Sequence, residues 1–237
     1  MTKNKRPTTR SWNPFVGCNY DCTYCAPSFK KLLAWLGRMH KCVPCQNYAP
    51  HEHAERLTRI PSDKAIFVCE DGDIAFANPK FIAKVFTAMR NDKRERMWFV
   101  QSKNPACLNQ YLKQLPENTY LATTFETNRD DLTKKISKAP PVSKRYKDFL
   151  ELDWSKKIVN VEPVMDFDLA PFSEMILSVK PCAVFIGYNS KPKAVPLPEP
   201  SKEKTLQLVS TLEKDGLKVF KRWENKNYVD FCESEET

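Results

Sequence analysis

The sequence predicts an α/β chain built on a mostly parallel sheet that closes into a partial (β/α) barrel. Short apolar runs rich in β-branched and aromatic residues recur along the chain, and stretches with helical apolar spacing separate them. Strands that are apolar almost without interruption are buried on both faces, as they are when helices cover a parallel sheet. A doubly wound open sheet would satisfy the same alternation and is the alternative.

The expected strands cover residues 11–16, 65–69, 97–101, 119–125, 157–161, 182–188 and 217–223. Between them, Asn78-Pro79 supplies a cap and a first-turn proline for a helix whose apolar face is Phe81, Ile82, Val85, Phe86 and Met89. Asn104-Pro105 opens a second helix with Leu108, Tyr111, Leu112 and Leu115 on one face. Further helical patterns run over 129–137, 143–152, 168–179 and 201–215, the last ending before Gly216. Proline-rich pieces at 138–142 and 191–200 read as ordered loops.

At 237 residues the chain fits the roughly 200–250 that α/β barrels occupy as one domain. One domain over 1–237 is therefore expected, with a metal-binding insertion at 40–56 and a frayed acidic tail at 232–237. A 41% hydrophobic content supports a continuous core and argues against disorder. The N-terminus has no apolar leader and no run of eighteen apolar residues occurs, so a cytoplasmic protein without membrane contact is expected. Nine cysteines in such a compartment serve metals or chemistry and not disulfides. The net charge of +9 suits a polyanionic partner without requiring one.

The strongest local signal is the loop from Gly17 to Cys25, where Cys18, Cys22 and Cys25 form a Cys-x3-Cys-x2-Cys array after the first strand. Three thiolates on a short loop can hold three irons of a cubane and leave the fourth open to an outside ligand. A structural zinc site would want a fourth ligand nearby.

This array resembles the signature of the radical S-adenosylmethionine superfamily, with Tyr24 as the aromatic residue before the third cysteine. The resemblance implies a half-barrel of the radical SAM type and a [4Fe-4S] cluster on Cys18, Cys22 and Cys25. It further implies S-adenosylmethionine chelated at the open iron, its reductive cleavage to a 5′-deoxyadenosyl radical, and an electron donor such as ferredoxin or flavodoxin. Together with Ser11-Trp12-Asn13-Pro14, Ile66-Phe67-Val68, Asp71-Gly72-Asp73 and Val161-Glu162-Pro163, the pattern is similar to an uncharacterised radical-SAM-like family of phages and prokaryotes. It is more distantly similar to spore photoproduct lyase, a DNA-repair enzyme.

A second metal candidate follows. Cys42 and Cys45 form a Cys-x2-Cys pair ahead of His51 and His53, and all three histidines, including His40, fall in this window. Zinc, an auxiliary iron–sulfur cluster, or free thiols beside hydrogen-bonded histidines are all open.

Polar groups at the strand ends should form the pocket of a parallel barrel. They are Glu70-Asp71-Gly72-Asp73, Gln101-Ser102-Lys103, Glu126-Thr127-Asn128, Glu162, Tyr188-Asn189 and Lys221-Arg222. The family carries Gly-Gly-Glu after the second strand, where Glu70-Asp71-Gly72 stands here. By resemblance Glu126 contacts ribose and Gly187-Tyr188 meets adenine, and Tyr24 and Glu162 join the expected cofactor site. Basic residues concentrate at 3–10, at 30–41, and in Lys134, Lys135, Lys138, Lys144, Arg145 and Lys147. A nucleic-acid partner is one reading of these runs and solvated helix faces are the other. The functional expectation is a radical S-adenosylmethionine enzyme acting on an unknown substrate, a nucleic-acid base being one candidate. The alternative is a metal-stabilised nucleic-acid-binding protein without radical chemistry.

Overall fold

The computed structural model describes residues 9–25, 30–224 and 228–235. The basic residues Lys3, Lys5 and Arg6 and the last two residues of the acidic tail lie outside them. Seven strands form one parallel sheet: β1 (Thr9–Trp12), β4 (Ala65–Val68), β5 (Met97–Gln101), β6 (Thr119–Thr124), β7 (Lys157–Val161), β8 (Ala183–Ile186) and β9 (Val219–Lys221). They neighbour one another in that order, and the sheet curls into a half-barrel. Every crossover steps to the next strand, so the helices are carried to the outer face.

That outer face is sealed by α3 (Pro79–Asn91), α5 (Val142–Glu151), α6 (Leu169–Val179) and α7 (Lys202–Lys214). Phe81, Val85, Phe149, Phe172, Ile176 and Leu208 pack there against Ile66, Trp98, Val100, Leu121, Val159 and Val184 of the strands. Asn78, the cap the sequence offers, accepts from Lys80 N, and the structure adds Ser201 as the cap of α7, accepting from Lys204 N. The segment opened by Asn104-Pro105 winds as a 3₁₀ helix over Pro105–Gln114, still burying Leu108 and Tyr111.

Side chains alternate across each strand, so the inward set is offset by one residue from the outward set. Phe67, Phe99, Tyr120, Phe185 and Phe220 face the concave side, with Phe67 on Phe99, Phe99 on Tyr120 and Phe185 on Phe220 stacked between neighbouring strands. Helix α8 (Tyr228–Glu235) closes this side: Phe231 is fully buried edge-on to Phe99, Tyr120, Phe185 and Phe220, and the Tyr228 ring lies flat on Phe185 at 4.0 Å. Over its described residues, 232–235, the tail expected to fray continues this helix. Cys232 is buried and Glu235 accepts from Tyr120 Oη at 2.9 Å, because a half-barrel needs an insert to cover its apolar inner wall.

The first expected strand divides in two. After β1, Phe15–Val16 (β2) turns away to pair antiparallel with His51–Glu52 (β3), forming a separate ribbon. Between β2 and β3 lie the cysteine loop, α1 (Lys31–Met39) and α2 (Val43–Gln46); α4 (Asp130–Lys134) follows β6. Among the described residues no helix is long and apolar enough to cross a membrane.

Phe231→Ala should cost about 3–5 kcal/mol, because it opens a void against four rings. A clearly lower midpoint in chemical denaturation is expected, and an unchanged one would show that α8 is dispensable.

Candidate active site at the C-terminal ends of the strands

The cysteine loop reaches the strand ends because two glycines allow backbone to touch backbone. Gly17, at φ +99°, lies where a Cβ would stand 2.3 Å from the Ala49 carbonyl oxygen, and a Cβ on Gly72 would stand 2.6 Å from Gly17 O. Gly17 N donates to Asp71 O and Asp73 N to Gly17 O, so the loop is hydrogen-bonded to the segment that follows β4. On its other side Thr23 N donates to Ile136 O and Lys138 N to Tyr20 O. Asp21, at φ +52°, projects its carboxylate between Lys30 and Lys138 at 3.0 and 2.8 Å.

Cys18, Cys22 and Cys25 line one cavity of about 580 Å³. Its remaining wall comes from strand ends and includes Glu70, Gly72, Asp73, Gln101, Lys103, Thr124, Asn160, Glu162 and Arg222. Tyr20, Tyr48 and Tyr228 add aromatic surface. Cys22 is buried, with its sulfur 3.0 Å from Ser137 Oγ and 3.6 Å from Lys103 Nζ. A hydrogen bond from the Cys25 thiol, against the opposing effect of burial and with help from Lys103, holds Cys22 down at about 5. Burial pushes Cys18 up to about 12. A second hollow, of about 610 Å³, lies between Leu57–Ile60 and α3. Its one carboxylate, Asp92, is engaged by Arg94 and Arg96, and it lies away from the thiols.

Beneath the cavity sits a fully buried carboxylate. Glu126 accepts from Tyr24 Oη at 2.7 Å and from Lys103 Nζ at 2.6 Å, and its second oxygen is 2.9 Å from Arg145 Nη2. Arg145 is itself fully buried and also donates to the carbonyls of Pro140 and Thr124. Burial would raise the Glu126 carboxyl, but Arg145 and Lys103 more than offset it and hold it at about 2. Lys103 also donates to Tyr24 Oη and lies 4.7 Å from the centre of its ring.

A polar layer forms the floor: Gln101 donates to Thr124 Oγ1, Asn160 to Gln101 Oε1, and Tyr228 to Asn160 Oδ1. Above it the Glu162 carboxylate rests against Gly187, where a Cβ would come within 2.8 Å, and pairs with Arg222 at 3.2 Å. Asp73 accepts from Ser102 Oγ, Lys103 N and Ala75 N, and burial nevertheless raises it to about 6.

Of the cofactor residues expected from sequence, Glu70, Gly72 and Glu162 line the cavity. The others stand outside its lining. Asp71 points back to Asn13, which donates to it at 2.7 Å. Tyr24 and Glu126 stand behind Lys103 and support it. Gly187 makes room for Glu162, and Tyr188 turns away to pack on Trp223 with ring centres 5.2 Å apart. Arg145 leaves the expected basic surface because its charge is consumed inside. The site also gains Asn160 and Tyr228, which the sequence reading missed. Asn160 is the one amide in an otherwise apolar strand core and lies two residues before Glu162, a signal that could have exposed it; Tyr228 arrives from a helix with no such mark.

No protein-family model matches the sequence, and no curated protein matches it. Its fold, however, is that of radical SAM enzymes. A spore photoproduct lyase mutant with dinucleoside spore photoproduct aligns at TM-score 0.59 and 9% identity, over 89% of this chain and 75% of that one. A second mutant of that lyase, with bound AdoMet and the same dinucleoside, aligns at TM-score 0.60 and 10% identity over the same shares. A radical SAM methyltransferase from Sphaerobacter thermophilus aligns at 0.53 and 16%, over 90% of this chain and 65% of that one.

Glu126 titrates below its ordinary 4.5, so the stability it contributes is complete above about pH 4.5 and is lost as pH falls towards 2. Glu126→Gln should remove that acid limb and leave two cations without their partner, costing about 3–5 kcal/mol at neutral pH. Urea unfolding between neutral pH and about pH 3 measures both effects; parental stability with parental acid sensitivity would refute this account.

Proposed function

We propose that the chain is a radical S-adenosylmethionine enzyme in which Cys18, Cys22 and Cys25 hold a [4Fe-4S] cluster. The observation that carries this reading is convergence: three thiols of one loop share a cavity with a ring of polar strand-end groups. The donor set fits the cluster. Three soft sulfur donors line the cavity with no imidazole among them, and Cys69, also in the lining, has its thiol engaged by the Phe15 backbone. When bound, the cluster would supply the electron that cleaves S-adenosylmethionine, delivered by a ferredoxin or flavodoxin.

The chain's own residues bind and orient. Glu70 and Glu162 offer acceptors for the ammonium and ribose hydroxyls of the cofactor, Lys103 and Arg222 offer cations for its carboxylate, and Tyr20, Tyr48 and Tyr228 offer aromatic surface. Residues 1–237 act as one domain in this reading.

For the substrate we favour a nucleic-acid base. The segment carrying Ile136 and Lys138 is hydrogen-bonded to the cysteine loop, which places the exposed Lys134 and Lys135 next to that loop. Lys144 and Lys138 contribute less to a phosphate track, being paired with Asp148 and Asp21. The lyase structures that share the fold hold a dinucleoside lesion, which supports the same choice.

Anaerobic reconstitution should give a brown protein that releases 5′-deoxyadenosine from S-adenosylmethionine with reductant, and alanine at any one of the three cysteines should abolish both colour and product. A colourless chain that still binds nucleic acid would favour the metal-stabilised binding protein instead. For the substrate, Lys134→Gln with Lys135→Gln should reduce the log–log salt slope of DNA or RNA binding by about 1.5, at about 0.7–0.9 for each phosphate contact. A slope equal to that of the parent would remove these lysines from any nucleic-acid path.

A further inference from the structure

The segment between the cysteine loop and β4 makes no use of the cavity thiols, yet it gathers the chain's other Cys-x2-Cys pair. Cys42 is the N-cap residue of α2 and Cys45 lies one turn on, while His51 and His53 are alternate residues at β3, so both imidazoles leave the ribbon on the same face. The four donor atoms lie within 4.8 Å of one another. Cys42 Sγ is 3.4 Å from His51 Nε2 and 4.0 Å from His53 Nε2; Cys45 Sγ is 3.2 and 3.3 Å from the same atoms; the two Nε2 atoms are 2.8 Å apart.

We propose that Cys42, Cys45, His51 and His53 bind one Zn²⁺ as a closed structural site. Tetrahedral zinc with bonds of about 2.3 Å to sulfur and 2.0–2.1 Å to nitrogen has edges of roughly 3.3–3.8 Å, the spacing these atoms approach around one common point. An iron–sulfur cluster needs its ligands spread around several metals, and two imidazole nitrogens 2.8 Å apart can only share one. The outer contacts agree. His51 Nδ1 is 2.7 Å from Ala49 O and His53 Nδ1 is 2.9 Å from Glu55 Oε1, so each ring donates its Nδ1 proton outward and presents a bare Nε2 to the metal. Binding sends two thiol protons to solvent and leaves two thiolates and two neutral imidazoles about the cation, a site of zero net charge.

The zinc fastens an otherwise thinly cored excursion to the barrel. Gly37 of α1 lies where a Cβ would come within 2.6 Å of Gln46 N, which lets α1 and α2 cross closely, and Cys42 N donates to Gly37 O. Beyond the histidines, His53 N donates to Pro14 O and Arg56 Nη1 to Asn13 O. Between the two ligand pairs stands Tyr48, on the cavity wall, and Ala49, against Gly17. The metal thus sets the position of Tyr48 and backs the loop that carries Cys18, although the inference does not depend on what that loop binds.

The full chain, purified from zinc-supplemented culture without chelator, should hold one zinc per chain by elemental analysis, and should keep it when Cys18, Cys22 and Cys25 are all alanine. Cys42→Ser should lose it. Because that variant could fail to fold, the parent with Co²⁺ in place of zinc provides a second reading: strong visible bands of tetrahedral thiolate-bound cobalt. Stripping the metal with a chelator should then lower the thermal midpoint. A parent without zinc, iron in its place, octahedral cobalt spectra, or zinc lost from the triple alanine variant but kept in Cys42→Ser would each overturn the assignment.

Discussion

A carboxylate with no access to solvent is stable only if charge is brought to it, and here two cations approach Glu126 from opposite sides. Arg145 comes from α5 on the outer face and Lys103 from the end of β5, while Tyr24 reaches down from the cysteine loop to the same oxygen as Lys103. Removing Glu126 would strand both charges in a low-dielectric interior, a larger loss than any one exposed ion pair can cause. The contact couples three parts of the chain that no backbone ladder joins. It fixes Lys103 beside Cys22 and stabilises the loop from beneath.

The half-barrel divides its labour along the strands. At one end the concave wall is aromatic and is filled by Phe231 and Tyr228 of α8. At the other the same inward positions become Gln101, Thr124 and Asn160, then Glu162 and Arg222. Alternation of side chains forces this within the strands: once Phe99 and Ile158 face inward, Gln101 and Asn160 must as well. Tyr228 joins the two layers, stacking on Phe185 with its ring and donating to Asn160 with its hydroxyl.

Close backbone approach is the third element. Gly17 and Gly72 let the cysteine loop dock on the end of β4, and Gly187 lets Glu162 fold over the end of β8. A side chain at any of these positions would displace either the loop or a cavity carboxylate.

The sequence alone carried the alternation of strands and helices, the outward apolar faces and the thiol spacing, because each is written in local periodicity or in neighbouring residues. The cap at Asn78 was legible for the same reason. It also marked Glu70, Gly72 and Glu162 as strand-end groups, and these do line the cavity. Where the remaining strand-end groups go depends on partners distant in the chain. Glu126 and Tyr188 look alike as strand-end polar residues, yet one is drawn under Lys103 and Arg145 and the other is packed on Trp223. Arg145 sits in a basic run and is nonetheless internal, and the tail is helical as far as Glu235, covering the concave wall. Burial and charge pairing are set by what the folded sheet brings within a few ångströms, and that is decided only by the tertiary structure.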